Sequence, residues 1–364
     1  MKIINTIISI LILLMIQSCK KEISNDAINN NTSSISKESD STIVYVAGGL
    51  FTEDSVTGKV IGHAIYWRNG VAMPLTTSFS YATSIAISGN DVYVAGFTTT
   101  GNSFNIATYW KNGNAVMLTD GSNNARVTSI AINGSDVYAA GWVENNGNMV
   151  AAVWKNGVQT LLADKSFYSY ANSIAVNGTD VYVVGGFMNG HLDSSTVMCW
   201  KNGVALPFTS YPFSYATSVI LNGSDVYIGG ISSAQGYYTA TYWKNGTLIP
   251  LMVGNFSTQV NSIAVSGDSV YAVGFFDESN NGAAYWQNGV SIPLQGVTVN
   301  DPSPGIVNSY ASSVIVNGTD VYITGGTNDK FGNDRALYWK NGNPIFLKNG
   351  ADSTGLYANG IAIQ

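Results

Sequence analysis

Residues able to carry out acid–base or metal chemistry are sparse in this chain of 364 residues, which holds two histidines and two cysteines. His191 and Asp193 on one loop would offer two metal ligands, whereas zinc sites use at least three from the protein. Neighbouring acids such as Asp277 and Glu278 could act as general acid and base, but the spacing singles out no pair. The chain has no nucleophile elbow, phosphate loop or Cys-x-x-Cys motif. We therefore predict no catalytic residue, no metal site and no cofactor.

Composition narrows the class of protein and its partners. The formal net charge is −6, and no basic stretch predicts a nucleic-acid surface. Charged residues make up only 10% of the chain, too few for a helical bundle or a coiled coil. With 45% hydrophobic and 12% aromatic residues the chain is too apolar to be disordered. These values favour a folded, β-rich and exported protein without a disulfide framework.

Three short runs recur along the chain, and this internal repetition predicts the fold. The runs are Ser-Ile-Ala-Val, Val-Tyr-Val-Ala-Gly and Tyr-Trp-Lys-Asn-Gly, each with near variants. The third occurs seven times, at Trp67, Trp110, Trp154, Trp200, Trp243, Trp286 and Trp339.

Each repeat predicts four short strands, A to D, and the repeats together predict a closed ring. Strands A and B carry the first two runs, strand C ends in Tyr-Trp, and strand D follows the Asn-Gly pair. Asn-Gly between apolar strands is typical of a tight hairpin. We predict an all-β fold: a seven-bladed β-propeller of four-stranded antiparallel blades. The N-terminal strand B (Ile43 to Gly48) should pair with a C-terminal strand A (Ile361 to Ile363) and close the ring.

The double glycines that end several B strands resemble those of kelch-like propellers. They stand at Gly48-Gly49, Gly185-Gly186, Gly229-Gly230 and Gly325-Gly326. Kelch repeats separate their tyrosine and tryptophan, whereas Tyr109 and Trp110 are adjacent, so the resemblance concerns the fold. The whole chain also resembles Tyr-Trp-Lys-Asn-Gly repeat lipoproteins of Bacteroidetes-type bacteria, a resemblance that implies no activity.

The N-terminus predicts export and a lipid anchor. Lys2 precedes an apolar run from Ile7 to Ile16, which is too short to span a bilayer but suits a signal peptide. The run ends in Ile-Gln-Ser-Cys, which resembles the lipobox of bacterial lipoproteins. The resemblance implies a lipoprotein signal peptide at 1–18 and a lipidated Cys19. We predict a polar tether at 19–41, a propeller at 42–364, and an anchored position in the bacterial envelope, in the outer membrane.

Recurrence inside one chain first indicates packing. We expect the seven tryptophans to fill the space between blades, with a ring of sugar-stacking residues as the alternative. Asp91 with Lys111, and the equivalent pairs in other repeats, should form cross-strand ion pairs. A lysine ring that binds an anionic polymer is the alternative.

The first candidate site is a ring of residues just before each strand A, at the mouth of the central channel. We name them the ring residues: Tyr81, Arg126, Tyr170, Tyr215, Gln259, Tyr310 and Tyr357. Five tyrosines there could stack on sugars or on peptide side chains. In the alternative they cap the inter-blade core, because Tyr81 shares the alternation of Ile85 and Ile87.

The second candidate site is a sector where the longest loops meet, which we name the loop sector. Its D–A loop runs from Gln295 to Ser309, and long loops in compact domains are usually functional or disordered. The predicted binding residues here are Glu53, Asp54, Lys59, Asp301, Lys330, Phe331 and Arg335.

These features favour a monomeric binding module for a glycan or an envelope protein. A propeller enzyme acting on polysaccharide, a lyase or a glycosidase, is the first alternative. It would require carboxylates with histidine or tyrosine converging in one pocket. A purely structural envelope protein is the second.

Overall fold

A computed structural model describes residues 42–53, 60–99, 104–164, 168–188, 195–206, 208, 213–233, 238–251, 257–277, 282–294, 309–328, 334–350 and 355–364. Its secondary structure consists of β-strands joined by turns. The strands are β1 (Val44–Glu53), β2 (Val60–Arg68), β3 (Val71–Pro74), β4 (Ser80–Ser88), β5 (Asp91–Thr99), β6 (Asn105–Lys111), β7 (Asn114–Met117), β8 (Ala125–Asn133), β9 (Asp136–Asn145), β10 (Asn148–Lys155), β11 (Val158–Leu161), β12 (Tyr168–Asn177), β13 (Asp180–Met188) and β14 (Ser195–Lys201). They continue with β15 (Val204–Leu206), β16 (Tyr215–Asn222), β17 (Asp225–Ser232), β18 (Thr239–Lys244), β19 (Thr247–Pro250), β20 (Ser257–Ser266), β21 (Ser269–Asp277), β22 (Gly282–Gln287), β23 (Val290–Ser291), β24 (Ser309–Asn317), β25 (Asp320–Asn328), β26 (Asp334–Lys340), β27 (Asn343–Phe346) and β28 (Leu356–Ile363).

These strands form seven antiparallel sheets of four strands each, which are the blades of a propeller. Blade 1 has the order β28-β1-β2-β3 and is therefore built from both ends of the described chain. Blades 2 to 7 each take four consecutive strands, beginning with β4, β8, β12, β16, β20 and β24. The pairing of Val46 with Ile361 in blade 1 confirms the predicted closure. None of the described residues forms a helix long and apolar enough to span a membrane.

The Asn-Gly pair of each repeat makes the predicted C–D hairpin and also ties strand B to it. In blade 2, Asn112 and Gly113 have φ angles of 50° and 83°, which are the left-handed values that this turn requires. The Asn112 side chain accepts a hydrogen bond from the Val92 amide and donates one to Asp91, both at 2.8 Å. Asparagine thus serves the turn and the neighbouring strand at once.

The seven tryptophans of the repeat are buried, with exposed fractions of at most 1%. Trp110 of blade 2, for example, packs with Tyr45 and Tyr66 of blade 1. This confirms their role in packing between blades. A ring of sugar-stacking tryptophans is wrong, because these indoles are inaccessible.

The predicted ion pairs are present in five blades, at the rim that carries the A–B and C–D turns, which we name the turn rim. They join Asp91 to Lys111 (2.7 Å), Asp136 to Lys155 (2.9 Å), Asp180 to Lys201 (2.7 Å), Asp225 to Lys244 (2.9 Å) and Asp320 to Lys340 (3.1 Å). Each lysine also lies over the strand-B tyrosine of its blade, as Lys111 lies 5.2 Å from the centre of the Tyr93 ring. These lysines are neutralised inside their own blades, which disfavours a lysine surface for an anionic polymer.

Each strand A contains a β-bulge, and the extra residue at the bulge connects neighbouring blades. In blade 2 this residue is Thr83, because Ala82 pairs with Gly96 and Ser84 with Ala95. Six bulge side chains donate a hydrogen bond to a backbone carbonyl of the next blade, at 2.7 to 2.9 Å. The donors are Thr83, Thr128, Asn172, Thr217, Asn261 and Asn359. The channel wall is therefore held by polar bonds between blades.

Candidate functional site

The seven ring residues lie inside strand A, and not before it as the sequence predicts. Each lies two residues before the bulge residue, for example Tyr81 in β4 and Tyr170 in β12. Strand A is longer than its repeated motif because pairing with strand B resumes on the far side of the bulge. The seven residues therefore occupy equivalent positions at one end of the innermost strands, and all seven side chains are half-buried.

The bulge also changes which strand-A side chains share a face. It thereby removes the basis for the alternative in which the ring residues cap the inter-blade core. Tyr81 pairs with Phe97, and Ala82 pairs with Gly96. Ala82 consequently shares a face with Ile85, and both belong to the buried cluster between blades 1 and 2, to which Tyr81 does not belong. The parity argument is wrong at Tyr81, because one extra residue shifts every preceding side chain to the other face.

Glycines in strand B make room for the ring residues. A Cβ atom at Gly185 would overlap the carbonyl oxygen of Tyr170, so the first glycine permits the bulge. A Cβ atom at Gly186 would overlap the phenol of Tyr170, and Gly326 stands in the same relation to Tyr310. The double glycines of these two blades are thus explained by the tyrosines that lie over them.

Aromatic side chains lie against the ring residues where blades 1, 2 and 7 meet. The Phe51 ring lies 5.9 Å from that of Tyr81 and 5.2 Å from that of Tyr357, between centroids. The Tyr81 hydroxyl donates to Asn359 at 3.3 Å. Burial, helped by nearby Tyr81 and Asp334, raises the pKa of Tyr310. The Tyr310 phenol therefore remains a neutral hydrogen-bonding group at physiological pH, as does that of Tyr81, whose pKa burial also raises.

Arg126 is the one charged ring residue. Its guanidinium carbon lies 5.6 Å from the centre of the Tyr81 ring and 5.1 Å from that of Phe97. Burial lowers the pKa of Arg126. Its Nε is buried and has no hydrogen-bond partner in the described part of the chain.

On the other side of the ring, a chain of hydrogen bonds crosses three blades. The Tyr215 hydroxyl donates to Gln259 Oε1 at 3.0 Å, and Gln259 Nε2 donates to Asn261 Oδ1 at 2.5 Å. Asn261 Nδ2 in turn donates to the Ala311 carbonyl at 2.8 Å. Burial, with smaller contributions from Tyr170 and Tyr238, raises the pKa of Tyr215 to about 12. The amide of Gln259 is thereby fixed in orientation and keeps a second N–H to donate.

An open pocket of about 490 Å³ lies against this hydrogen-bond chain, between blades 5 and 6. We name it the aromatic pocket; its lining residues are Tyr215, Ile231, Tyr238, Ser257, Thr258, Gln259 and Phe275. Tyr238 is 47% exposed. Two of the lining residues, Tyr215 and Gln259, are among the ring residues that the sequence predicts. Tyr238 is not predictable from the repeats, because it lies between strands B and C, outside the repeated runs. Phe275 directly follows the recurring glycine of strand B, and only its pairing with Gln259 of strand A places it in the pocket.

A smaller polar pocket of about 180 Å³ lies at the edge of blade 3, beside Asp120 and Glu144. Ser122 donates to Asp120 from both its amide and its hydroxyl, and Asn124 donates to Glu144. Both carboxylates thus accept hydrogen bonds from neighbouring residues. Among the described residues no group of three or more histidines, cysteines or acids is placed to hold a metal ion.

The loop sector lies mostly outside the described residues. Asp54, Lys59, Asp301, Lys330 and Phe331 fall outside them, as does Cys19. Glu53 ends β1 in blade 1, and Arg335 pairs with Thr327 in blade 7. The loop sector therefore stays a prediction.

Comparison with solved structures gives the same fold at low sequence identity. The chain is similar to the β-propeller domain of the Trilobed protease from Pyrococcus furiosus, with 10% identity and a TM-score of 0.53, over 84% of this chain and 92% of that one. It is also similar to an acylaminoacyl peptidase from Pyrococcus horikoshii, with 11% identity and a TM-score of 0.52. That match covers 84% of this chain but only 51% of the peptidase.

These likenesses show a β-propeller and no activity. The Pyrococcus furiosus propeller has an open velcro topology, whereas here β28 pairs with β1. No protein-family model and no curated protein matches the chain. The kelch-like and lipoprotein-repeat resemblances therefore stay predictions.

Proposed function

We propose that this propeller is a lipid-anchored module of the bacterial envelope that binds a glycan in the aromatic pocket. The proposal rests on one observation: aromatic side chains line the pocket beside the side-chain amide of Gln259, whose orientation is fixed. Tyr238 and Phe275 offer flat apolar faces, and Gln259 offers a donor whose direction is set by Tyr215. Sugar rings present apolar C–H faces and polar edges, and this combination of surfaces suits both.

The composition of the pocket favours binding over catalysis. A glycosidase or lyase requires carboxylates beside the scissile bond. The described lining residues include neither a carboxylate nor a histidine, and Tyr215 among them has a raised pKa and stays protonated. The pocket volume of about 490 Å³ falls within the range of small-ligand sites, ~300–1,000 Å³. A binding module that retains its ligand unchanged is the simpler function for such a surface.

The proposed lipid anchor is supported by the sequence. The lipobox-like residues before Cys19 and the polar segment that follows it support a tethered propeller in the envelope, in the outer membrane. Multiple acyl chains would hold such a protein stably at a membrane.

A glycan array probed with the full chain in mild detergent tests the proposal. We expect binding to a restricted set of glycans, with a loss of at least tenfold in affinity (~1.4 kcal/mol) in Tyr238→Ala, because an aromatic face is removed. Ile345→Ala serves as the control, because Ile345 is also a large exposed hydrophobic residue but lies on the outermost strand of blade 7.

The same assay separates the aromatic pocket from the loop sector. A variant in which residues 296–304 are shortened to the length of the other D–A loops should bind like the parent. If the shortened protein loses binding while Tyr238→Ala retains it, the site lies in the loop sector. If neither the parent nor any variant binds a glycan, the proposed ligand class is wrong, and an envelope protein becomes the next candidate for a pull-down.

A further inference from the structure

Arg126 differs from the strand-C lysines in having no counter-charge among the described residues. Five strand-C lysines are paired with acids of their own blades. Arg68 takes the position of these lysines in blade 1, on the rim opposite Arg126, and donates to the Tyr45 hydroxyl at 3.2 Å. Arg126 forms neither an ion pair nor a hydrogen bond within the described residues, although its Nε is buried. A partly desolvated charge is unfavourable unless it is paired, and no described residue pairs with this one.

The surroundings of Arg126 orient it as a binding group. Tyr81 and Phe97 both lie within 6 Å of the guanidinium carbon, which is the range of cation–π contact. Stacking fixes the plane of a guanidinium while leaving the N–H groups on its edge available. Arginine keeps its charge in proteins even where burial lowers its pKa. The channel mouth therefore carries one preorganised, positively charged fork.

The charge pattern indicates which anion would fit. A guanidinium edge matches a planar carboxylate through two parallel hydrogen bonds. A densely charged polyanion would need several cations, whereas the five turn-rim lysines are already paired and the net charge of the chain is −6. A ligand with isolated carboxylates on an otherwise neutral scaffold fits one unpaired arginine better.

We infer that Arg126 anchors a carboxylate subsite at the channel mouth, and that the glycan bound by this propeller contains uronic acid residues. This inference rests on the proposed function. In strand order Arg126 is followed by Tyr170 and then by Tyr215 of the aromatic pocket, all three at the equivalent position of strand A. The carboxylate subsite and the aromatic pocket thus lie on one rim, with Tyr170 between them.

Isothermal titration with a paired probe tests the inference. The probes are a xylotriose that carries a single 4-O-methylglucuronic acid branch and the methyl ester of the same tetrasaccharide, which differ by one charge but share the sugar rings. We expect the parent to bind the acid at least tenfold more tightly than the ester. Arg126→Gln should remove this preference while ester affinity stays the same, and Arg126→Lys should restore only part of it because lysine lacks the fork.

Arg68→Gln is the matched control, since it removes the same charge from an arginine that also contacts a tyrosine ring, 5.9 Å away. It should keep the full preference for the acid. Equal binding of acid and ester by the parent overturns the inference and leaves glycan binding intact, a comparison that needs no variant. A preference that survives in Arg126→Gln also overturns it. Binding of neither probe overturns the uronic acid inference, and the glycan array then decides the proposed function separately.

Discussion

Asn359 and Ala82, 277 residues apart in the chain, are joined by a hydrogen bond of 2.7 Å from the Asn359 side chain to the Ala82 carbonyl. Asn359 is the bulge residue of β28, so this bond continues the inter-blade series across the point where the two chain ends meet. At the other end of the same strand, Gln364 donates to the Gly89 carbonyl at 2.6 Å. The last strand thus bonds laterally to blade 2 as well as pairing with β1.

Deletion of residues 360–364 should therefore open blade 1. It removes Ile361 and Ala362, which are buried against blades 7 and 2, and exposes the edge of β1. We expect a loss of several kcal/mol from a stability of ~5–15 kcal/mol typical of a domain. Thermal unfolding followed by circular dichroism measures it. The control Gln364→Ala removes only local hydrogen bonds and should cost ~1–2 kcal/mol. An unchanged melting temperature in the deletion variant would contradict closure by β28.

Anchoring can be tested with the two cysteines of the chain. Cys19→Ala should move the protein from the membrane pellet to the soluble fraction, because the thiol that would carry the lipid is removed. Cys199→Ala should stay in the pellet. Cys199 is 2% exposed, and burial raises the pKa of its thiol to about 11, so it is inert. Retention of Cys19→Ala in the pellet would show that something other than a lipid holds the protein there.

The bulge hydrogen bonds predict a stability difference between two near-isosteric substitutions. The Thr217 hydroxyl lies 3.0 Å from the Gly229 carbonyl oxygen and 2.8 Å from the Val260 carbonyl oxygen of the next blade, so its one proton is shared between them. Thr217→Val removes the hydroxyl and should cost ~1–3 kcal/mol in urea unfolding, because the two carbonyls lose this donor. Thr217→Ser keeps the hydroxyl and should cost less. Equal losses in the two variants would mean that packing, and not hydrogen bonding, matters at the bulge.

The repeat pattern is sufficient to predict the blades, because each element has a local cause in the sequence. Asn112-Gly113 specifies a turn, and the adjacent Tyr109 and Trp110 specify opposite faces of a strand. The bulge is not predictable in this way. Thr83 lies in a run whose polar and apolar residues alternate as in a regular strand. Only the pairing of this run with strand B shows that Thr83 is the extra residue. The aromatic pocket escaped prediction for a different reason: it forms between two blades and takes Tyr238 from a segment that does not repeat.

A double-mutant cycle can test how Gly186 accommodates Tyr170. Gly186→Ala should destabilise the protein by ~1–3 kcal/mol, because the new methyl group overlaps the phenol. In a Tyr170→Ala background the same change should cost almost nothing. Gly185→Ala is the control: it would overlap the backbone carbonyl of Tyr170, so its cost should persist in that background. A cost for Gly186→Ala that is independent of Tyr170 would refute this explanation of the double glycine.

Alkaline pH should weaken the fold through Tyr215. Burial raises its pKa to about 12, above the usual tyrosine value of 10.0, so the folded state favours the protonated phenol. The stabilisation is therefore fully present below pH 10 and is lost as pH rises through about 12, because the unfolded chain ionises first. Urea unfolding at several pH values, with phenolate absorbance recorded in parallel, measures this loss.

Tyr215→Phe removes the ionisable group and should flatten the decline between pH 10 and 12, although it is less stable at neutral pH because it lacks the hydrogen bond to Gln259. An equally steep decline in Tyr215→Phe would assign the alkaline sensitivity to other buried phenols such as Tyr310, whose pKa burial also raises.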